Sequence, residues 1–167
     1  MESNQESTSN KKGTPKIAFM LYIGFFAGLI WGGLKIVEFG LKLTKISPGF
    51  LIEPFYKHTF LNTWLGILLG WGAFIAFSMI AASLYMLLLW NLKGAWYGIC
   101  YGVAWWGVIY MAVGPFIGMT PTLQKLELSS LISDLGIFIL WGLFIGYSIS
   151  FEYTDDRLRE PEPIIGQ

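Results

Sequence analysis

Four charged residues close the first apolar stretch of the chain at helical spacing: Lys35, Glu38, Lys42 and Lys45. At about 100° per residue, Gly24, Gly28 and Lys42 fall within about 20° of Lys35 around a helix, and Trp31, Gly32 and Glu38 within about 60°. Lys35 and Glu38 are three apart and can pair along that stripe. A charge facing lipid is expensive, and glycines four apart admit a second backbone, so the stripe is expected to face protein. The chemistry open to these groups is recognition of an anionic lipid headgroup or of a partner's carboxylate. Their long stems equally suit a helix end whose charges reach water by snorkelling.

Two further groups carry chemistry. His58, beside Lys57, reads as a solvated loop histidine or a pH-responsive one. Asp134 suits a helix N-terminus, where its charge favours the free N–H groups. An intramembrane enzyme acting on lipid would have to rely on Lys35, Glu38, His58 or Asp134, and this is the weakest of the functional readings. There is no HExxH, no GxSxG and no GxxxxGK[ST], so zinc hydrolysis, serine-elbow catalysis and P-loop nucleotide use have no supporting pattern. One histidine cannot build a multi-histidine metal site, and the spans read as free of carboxylates at their centres. Cys100 is the only cysteine, which precludes an internal disulfide and reads as a small packing residue. No catalytic, cofactor-binding or metal residue is assigned, and no cofactor is expected.

The elements that must position these groups are transmembrane helices. The chain is 54% hydrophobic and 13% charged, against about a quarter charged in soluble domains. Its formal net charge of +0 gives no reason to expect nucleic acid. The run from Trp64 to Trp90 has no charged residue. As a helix it is about 39 Å long against a hydrocarbon core of roughly 30 Å, with its terminal tryptophans near the headgroups. Four such spans are expected, over about 17–39, 64–90, 95–117 and 134–151, forming an all-α integral membrane four-helix bundle.

Residues 1–16 read as a disordered polar tail that stays attached as part of a signal anchor, because no small-x-small cleavage site follows the apolar run. The first helix is expected to be long, continuing to Ser47-Pro48-Gly49. The connection that follows keeps Phe50, Leu51, Ile52, Phe55 and Tyr56, and reads as interfacial or re-entrant, with Glu53 and Lys57 toward water. Asn62 or Thr63 caps span 2. Asn91–Gly94 is too short for anything but antiparallel neighbours. Gly114-Pro115 kinks or ends span 3. Residues 118–133 form either a surface helix or a water-facing start to span 4, and 152–167 read as a disordered charged tail. Gly66/Gly70, Gly98/Gly102 and Gly142/Gly146 repeat the spacing of Gly24/Gly28/Gly32 and are expected to pack helices within the chain.

Four spans place both termini on one side. That side would carry Lys11, Lys12, Lys16, Lys93, Arg157 and Arg159, six residues, against Lys35, Lys42, Lys45, Lys57 and Lys125, five. The bias favours cytoplasmic termini.

GFFAGLIWGGLKIVEFG, the SPGFLIEPF connection and the short charged tail after span 4 together resemble the YqhR-type membrane proteins of Bacillus and relatives. The resemblance spans the whole chain and implies a multi-pass protein of the bacterial cytoplasmic membrane, without an activity or site residue to transfer. The leading expectation is a non-enzymatic accessory or scaffold whose partners are lipid, a membrane protein or further copies of itself. The alternative is an oligomeric transporter of a small solute, with Trp71, Trp105, Trp106 and Trp141 along its path.

Overall fold

A computed structural model describes residues 16–89, 92, 94–120 and 126–159. The expected tail over 1–15, the end of the C-terminal tail over 160–167, and Trp90, Asn91, Lys93 and Lys125 lie outside them. The described chain is all-helical, and four of its helical segments are long and apolar enough to cross a membrane: Ile17–Gly40, Trp64–Leu89, Ala95–Ile117 and Leu128–Glu152.

Helix α1 covers Lys16–Gly40. It stops earlier than its continuing periodicity predicts. Lys42 adopts a left-handed φ of 60°, the Leu43 N–H bonds the Glu38 carbonyl at 3.0 Å, and the Lys42 N–H bonds the Phe39 carbonyl at 3.0 Å. This six-to-one and five-to-two pairing satisfies the last carbonyls and turns the chain. Glycine is the usual residue there; the lysine hid the stop.

The connection then folds inward rather than lying flat at the interface. Residues 46–50 are buried and Phe50 is fully enclosed, while Phe55 and Tyr56 stay exposed. A 3-10 turn at Phe50–Ile52 and the short helix α2, His58–Leu61, lead to α3, Trp64–Leu89. Thr63 caps α3, its hydroxyl accepting the Gly66 N–H at 3.3 Å.

Span 3 does not end at Gly114-Pro115. Helix α4, Ala95–Gly107, widens into a π-helical segment, Val108–Val113, and resumes as α5, Gly114–Ile117. The Gly114 N–H bonds the Ile109 carbonyl, so the wider turn sits just before the proline, whose missing N–H and ring an ordinary α-turn would not accommodate. Gly118, at φ 85°, closes the segment.

Helix α6 runs Leu128–Arg159. It therefore starts nearly two turns before Asp134, so residues 128–133 belong to the span-4 helix, while residues 121–125 of the expected 118–133 segment lie outside the described residues, and it continues through 152–159, part of the expected tail. Antiparallel pairs α1/α3 and α4/α6 pack through small residues. Between the pairs lies an aromatic core in which Trp141 stacks on Phe77 and Tyr101 and donates its indole N–H to the Ser78 hydroxyl at 2.9 Å. Trp71 donates to the Leu29 carbonyl at 3.1 Å. Indoles in a waterless interior seek such acceptors.

Candidate functional site

Lys35 and Glu38 lie on the inward face of α1, within about 8 Å of its C-terminal end by helical rise. The left-handed turn at Lys42 sends the chain back toward that face, and Thr44 and Ile46 become buried beside it. From the opposite side α6 presents Ser130, Ser133 and Asp134, which share a face by their three- and four-residue spacing. The π-helical segment adds Tyr110.

These residues make one buried polar cluster. The Lys35 ammonium donates to Asp134 Oδ1. Asp134 Oδ2 accepts the Tyr110 hydroxyl at 2.8 Å and the Thr44 hydroxyl at 3.4 Å. Ser133 donates to Glu38 Oε1, and Glu38 Oε2 lies 3.8 Å from the Lys35 ammonium. Phe50 covers the cluster, its ring centroid 5.8 Å from Lys35 Nζ and stacked on Tyr110. Lys35, Glu38, Asp134 and Tyr110 retain 3%, 6%, 0% and 0% of their exposure, so water is excluded. In such surroundings a charge is tolerable only when it is paired and hydrogen-bonded.

At the rim of the same cluster, the Lys45 N–H bonds the Ser130 hydroxyl at 3.2 Å and the Lys45 ammonium pairs with Glu127. Lys42 is exposed. Of the four residues marked for headgroup or partner contact, Lys35 and Glu38 are thus engaged by α6, and Lys42 and Lys45 face outward. His58 is exposed and pairs with Glu53 at 2.9 Å, outside the cluster. Asp134 is not a solvated helix terminus: with α6 beginning at Leu128, its carboxylate sits among the helices. Tyr110, Thr44, Ser130 and Ser133 carry no motif, and only the Ser130/Ser133/Asp134 spacing signals a polar face.

The nine glycines expected to pack helices all meet other segments. A Cβ on Gly24 would lie 2.5 Å from the Met79 Cα, one on Gly28 2.5 Å from the Ile75 Cα, and one on Gly32 2.6 Å from the Trp71 ring. Gly66 abuts the Phe60 carbonyl and Gly70 abuts Gly49 of the inserted connection. Gly98 and Gly102 meet Gly142, and Gly146 meets Gly98, across α4/α6. Farther along α1 and α6 an apolar recess of about 300 Å³ is lined by Trp31, Leu140, Leu143, Phe144 and Tyr147.

Residues 2–162 match the model of a family described as "Conserved membrane protein YqhR". The chain belongs to the YqhR family. A relative from Bacillus subtilis (strain 168), named "Uncharacterized protein YqhR", is 31% identical over 157 residues, covering 92% of this chain and 88% of its own. No solved structure matches the chain. For the YqhR family the comparison therefore supplies membership and membrane character; the cluster of Lys35, Glu38, Asp134 and Tyr110 comes from the geometry.

Proposed function

We propose that this protein is a non-enzymatic accessory or scaffold of the bacterial cytoplasmic membrane, acting through contacts with lipid, with other copies of itself or with a larger membrane complex. One observation carries the reading: the ionic groups held inside the spans are engaged with one another. Lys35 is shared by Asp134 and Glu38, and Tyr110 and Ser133 occupy the carboxylates from the other side. Groups held this way join helices and leave few electron pairs or protons directed at a substrate. His58 is at the surface with Glu53, apart from Lys35, Glu38 and Asp134.

The contact surface this leaves is the rim, where Lys42 and Lys45 are exposed and suited to anionic headgroups or a partner's carboxylates. An even number of spans and the six-to-five Lys/Arg bias support termini on the cytoplasmic side. The test is crosslinking in the native membrane, purification in mild detergent and mass spectrometry. A stoichiometric membrane-protein partner, or self-crosslinked chains, is the expected result. Recovery of monomer alone, together with solute flux in proteoliposomes above that of empty vesicles, would replace this reading with the transporter.

A further inference from the structure

Close backbone approach in this bundle is made within two helix pairs. Gly24, Gly28 and Gly32 seat α1 on α3, and Gly98 and Gly142 seat α4 on α6. The seam between α1 and α6 is joined by side chains instead. Lys35 and Asp134 bridge it toward one end, and farther along it stays open as the recess of about 300 Å³ lined by Trp31, Leu140, Leu143, Phe144 and Tyr147. We propose that this recess holds one acyl chain of a phospholipid from the leaflet on the side of the chain termini. The site lies apart from the rim of Lys42 and Lys45 and does not depend on what that rim contacts.

Depth selects the leaflet. Leu140 is midway along the span Leu128–Glu152, and Tyr147 is five residues from its Glu152 end. At about 1.5 Å of rise per residue the recess runs from about 8 Å to about 18 Å below that end. The inner half of an acyl chain from that side lies at this depth, because half of the hydrocarbon core is roughly 15 Å. Chains from the opposite face, where Lys35 and Asp134 lie, end short of most of it. Trp31, on the antiparallel helix α1, stands at a similar mid-membrane level.

The lining selects the chemistry. All five residues present hydrocarbon or aromatic ring and none is charged, and an apolar hollow of this kind does not hold water. Left empty, its walls forfeit the dispersion contacts that close packing supplies. Leu140 and Tyr147 are 46% and 57% exposed and the other three are half-buried, so the recess opens sideways to lipid rather than into the bundle. A lipid chain bends to fill such a hollow, whereas a second copy needs more surface. Five residues are far fewer than the roughly 20–30 per side of a stable protein interface.

The test is photolabelling of the full-length protein in vesicles of phosphatidylethanolamine and phosphatidylglycerol, with a trace of phosphatidylglycerol carrying a diazirine in the inner half of one acyl chain. Tyr22 is the internal reference: it is 60% exposed, five residues from the terminal-side end of its own span, and outside the recess. In the wild type the label at Tyr147 is expected to exceed that at Tyr22 severalfold. Leu140→Trp fills the recess from an exposed position, and should bring Tyr147 down to the level of Tyr22 while leaving Tyr22 unchanged. Equal labelling of the two tyrosines in the wild type, or an excess at Tyr147 that survives Leu140→Trp, would overturn the proposal. So would weak labelling of Tyr147 together with disulfide-linked dimers of Tyr147→Cys in a Cys100→Ser background, which would put a second copy in the recess. If Leu140→Trp does not fold, the wild-type ratio of the two tyrosines decides alone.

Discussion

Two lysine–carboxylate bridges tie the same two segments together, the end of α1 with its connection on one side and the start of α6 on the other. Lys35–Asp134 is inside, its side chains 4% and 0% exposed, and Lys45–Glu127 is at the rim, at 68% and 57%. The charges are the same and the surroundings are not. At the rim each ion exchanges good solvation for a partner and gains little, because screening and side-chain entropy offset the attraction. Inside, water has already been removed, so a missing partner leaves a bare charge with nowhere to turn. The lesson is that the inner bridge and the residues around it, rather than the number of bridges, hold α1 to α6.

The comparison is broken most directly at Lys35. Lys35→Met should cost about 3–5 kcal/mol, the penalty for orphaning buried carboxylates, read as lowered unfolding free energy in mixed micelles. Adding Glu38→Gln and Asp134→Leu should recover much of that loss, because the charges and not the shape are the problem. A cost for Lys35→Met below about 1 kcal/mol would mean that the cluster is hydrated like the rim.

The same inside–outside contrast holds without any charge. A Cβ on Gly102 would lie 2.1 Å from the Phe138 carbonyl oxygen, whereas one on Gly136 has nothing within 4 Å. Gly102→Ala should therefore destabilise by about 2–3 kcal/mol through overpacking. Gly136→Ala should be neutral or stabilising by up to about 1 kcal/mol, since alanine loses less backbone entropy in a helix. Abundance and thermal unfolding of the two variants test this directly, and equal effects would dissolve the distinction.

What the sequence made legible follows the range of the interaction. Span existence depends on local hydropathy, so Trp64–Leu89 was readable almost to the residue and Thr63 was among the expected caps. The bundle and its glycine spacing were readable for the same reason. Lys42 was not, because a left-handed helix stop normally carries glycine and the apolar pattern runs on past it. Asp134 reads as a helix start because a charge at the edge of an apolar run resembles one; the helix begins at Leu128, and donors distant in sequence, Lys35, Thr44 and Tyr110, explain the carboxylate. The apolar connection leaves Phe50 open to an interfacial or a re-entrant reading, because apolar surface fits headgroups and bundle interior alike. Tyr110 gave no signal among the many aromatics of span 3.

An intermediate effect is expected from Tyr110→Phe, which keeps the ring on Phe50 and Trp106 but removes the 2.8 Å bond to Asp134. Its cost should be roughly 2 kcal/mol, the range for a hydrogen bond to a charged acceptor. Thermal unfolding at matched detergent and salt is the measurement, and a silent variant would show that Lys35 alone satisfies the carboxylate.

The smallest effect belongs to the outer bridge. Lys45→Ala should cost no more than about 0.5 kcal/mol in detergent solution, because a pair this exposed is discounted by solvent screening and Glu127 simply regains water. The connection stays docked in this variant, since the backbone N–H of residue 45 still donates to Ser130. That makes Lys45→Ala a probe of what covers the rim rather than of the fold. If the loss measured in native membranes exceeds the loss in detergent, the rim is shielded there by headgroups or by a partner, and the outer bridge has acquired the surroundings of the inner one. If the two losses agree, the rim remains in water and the contact surface must lie elsewhere on the bundle.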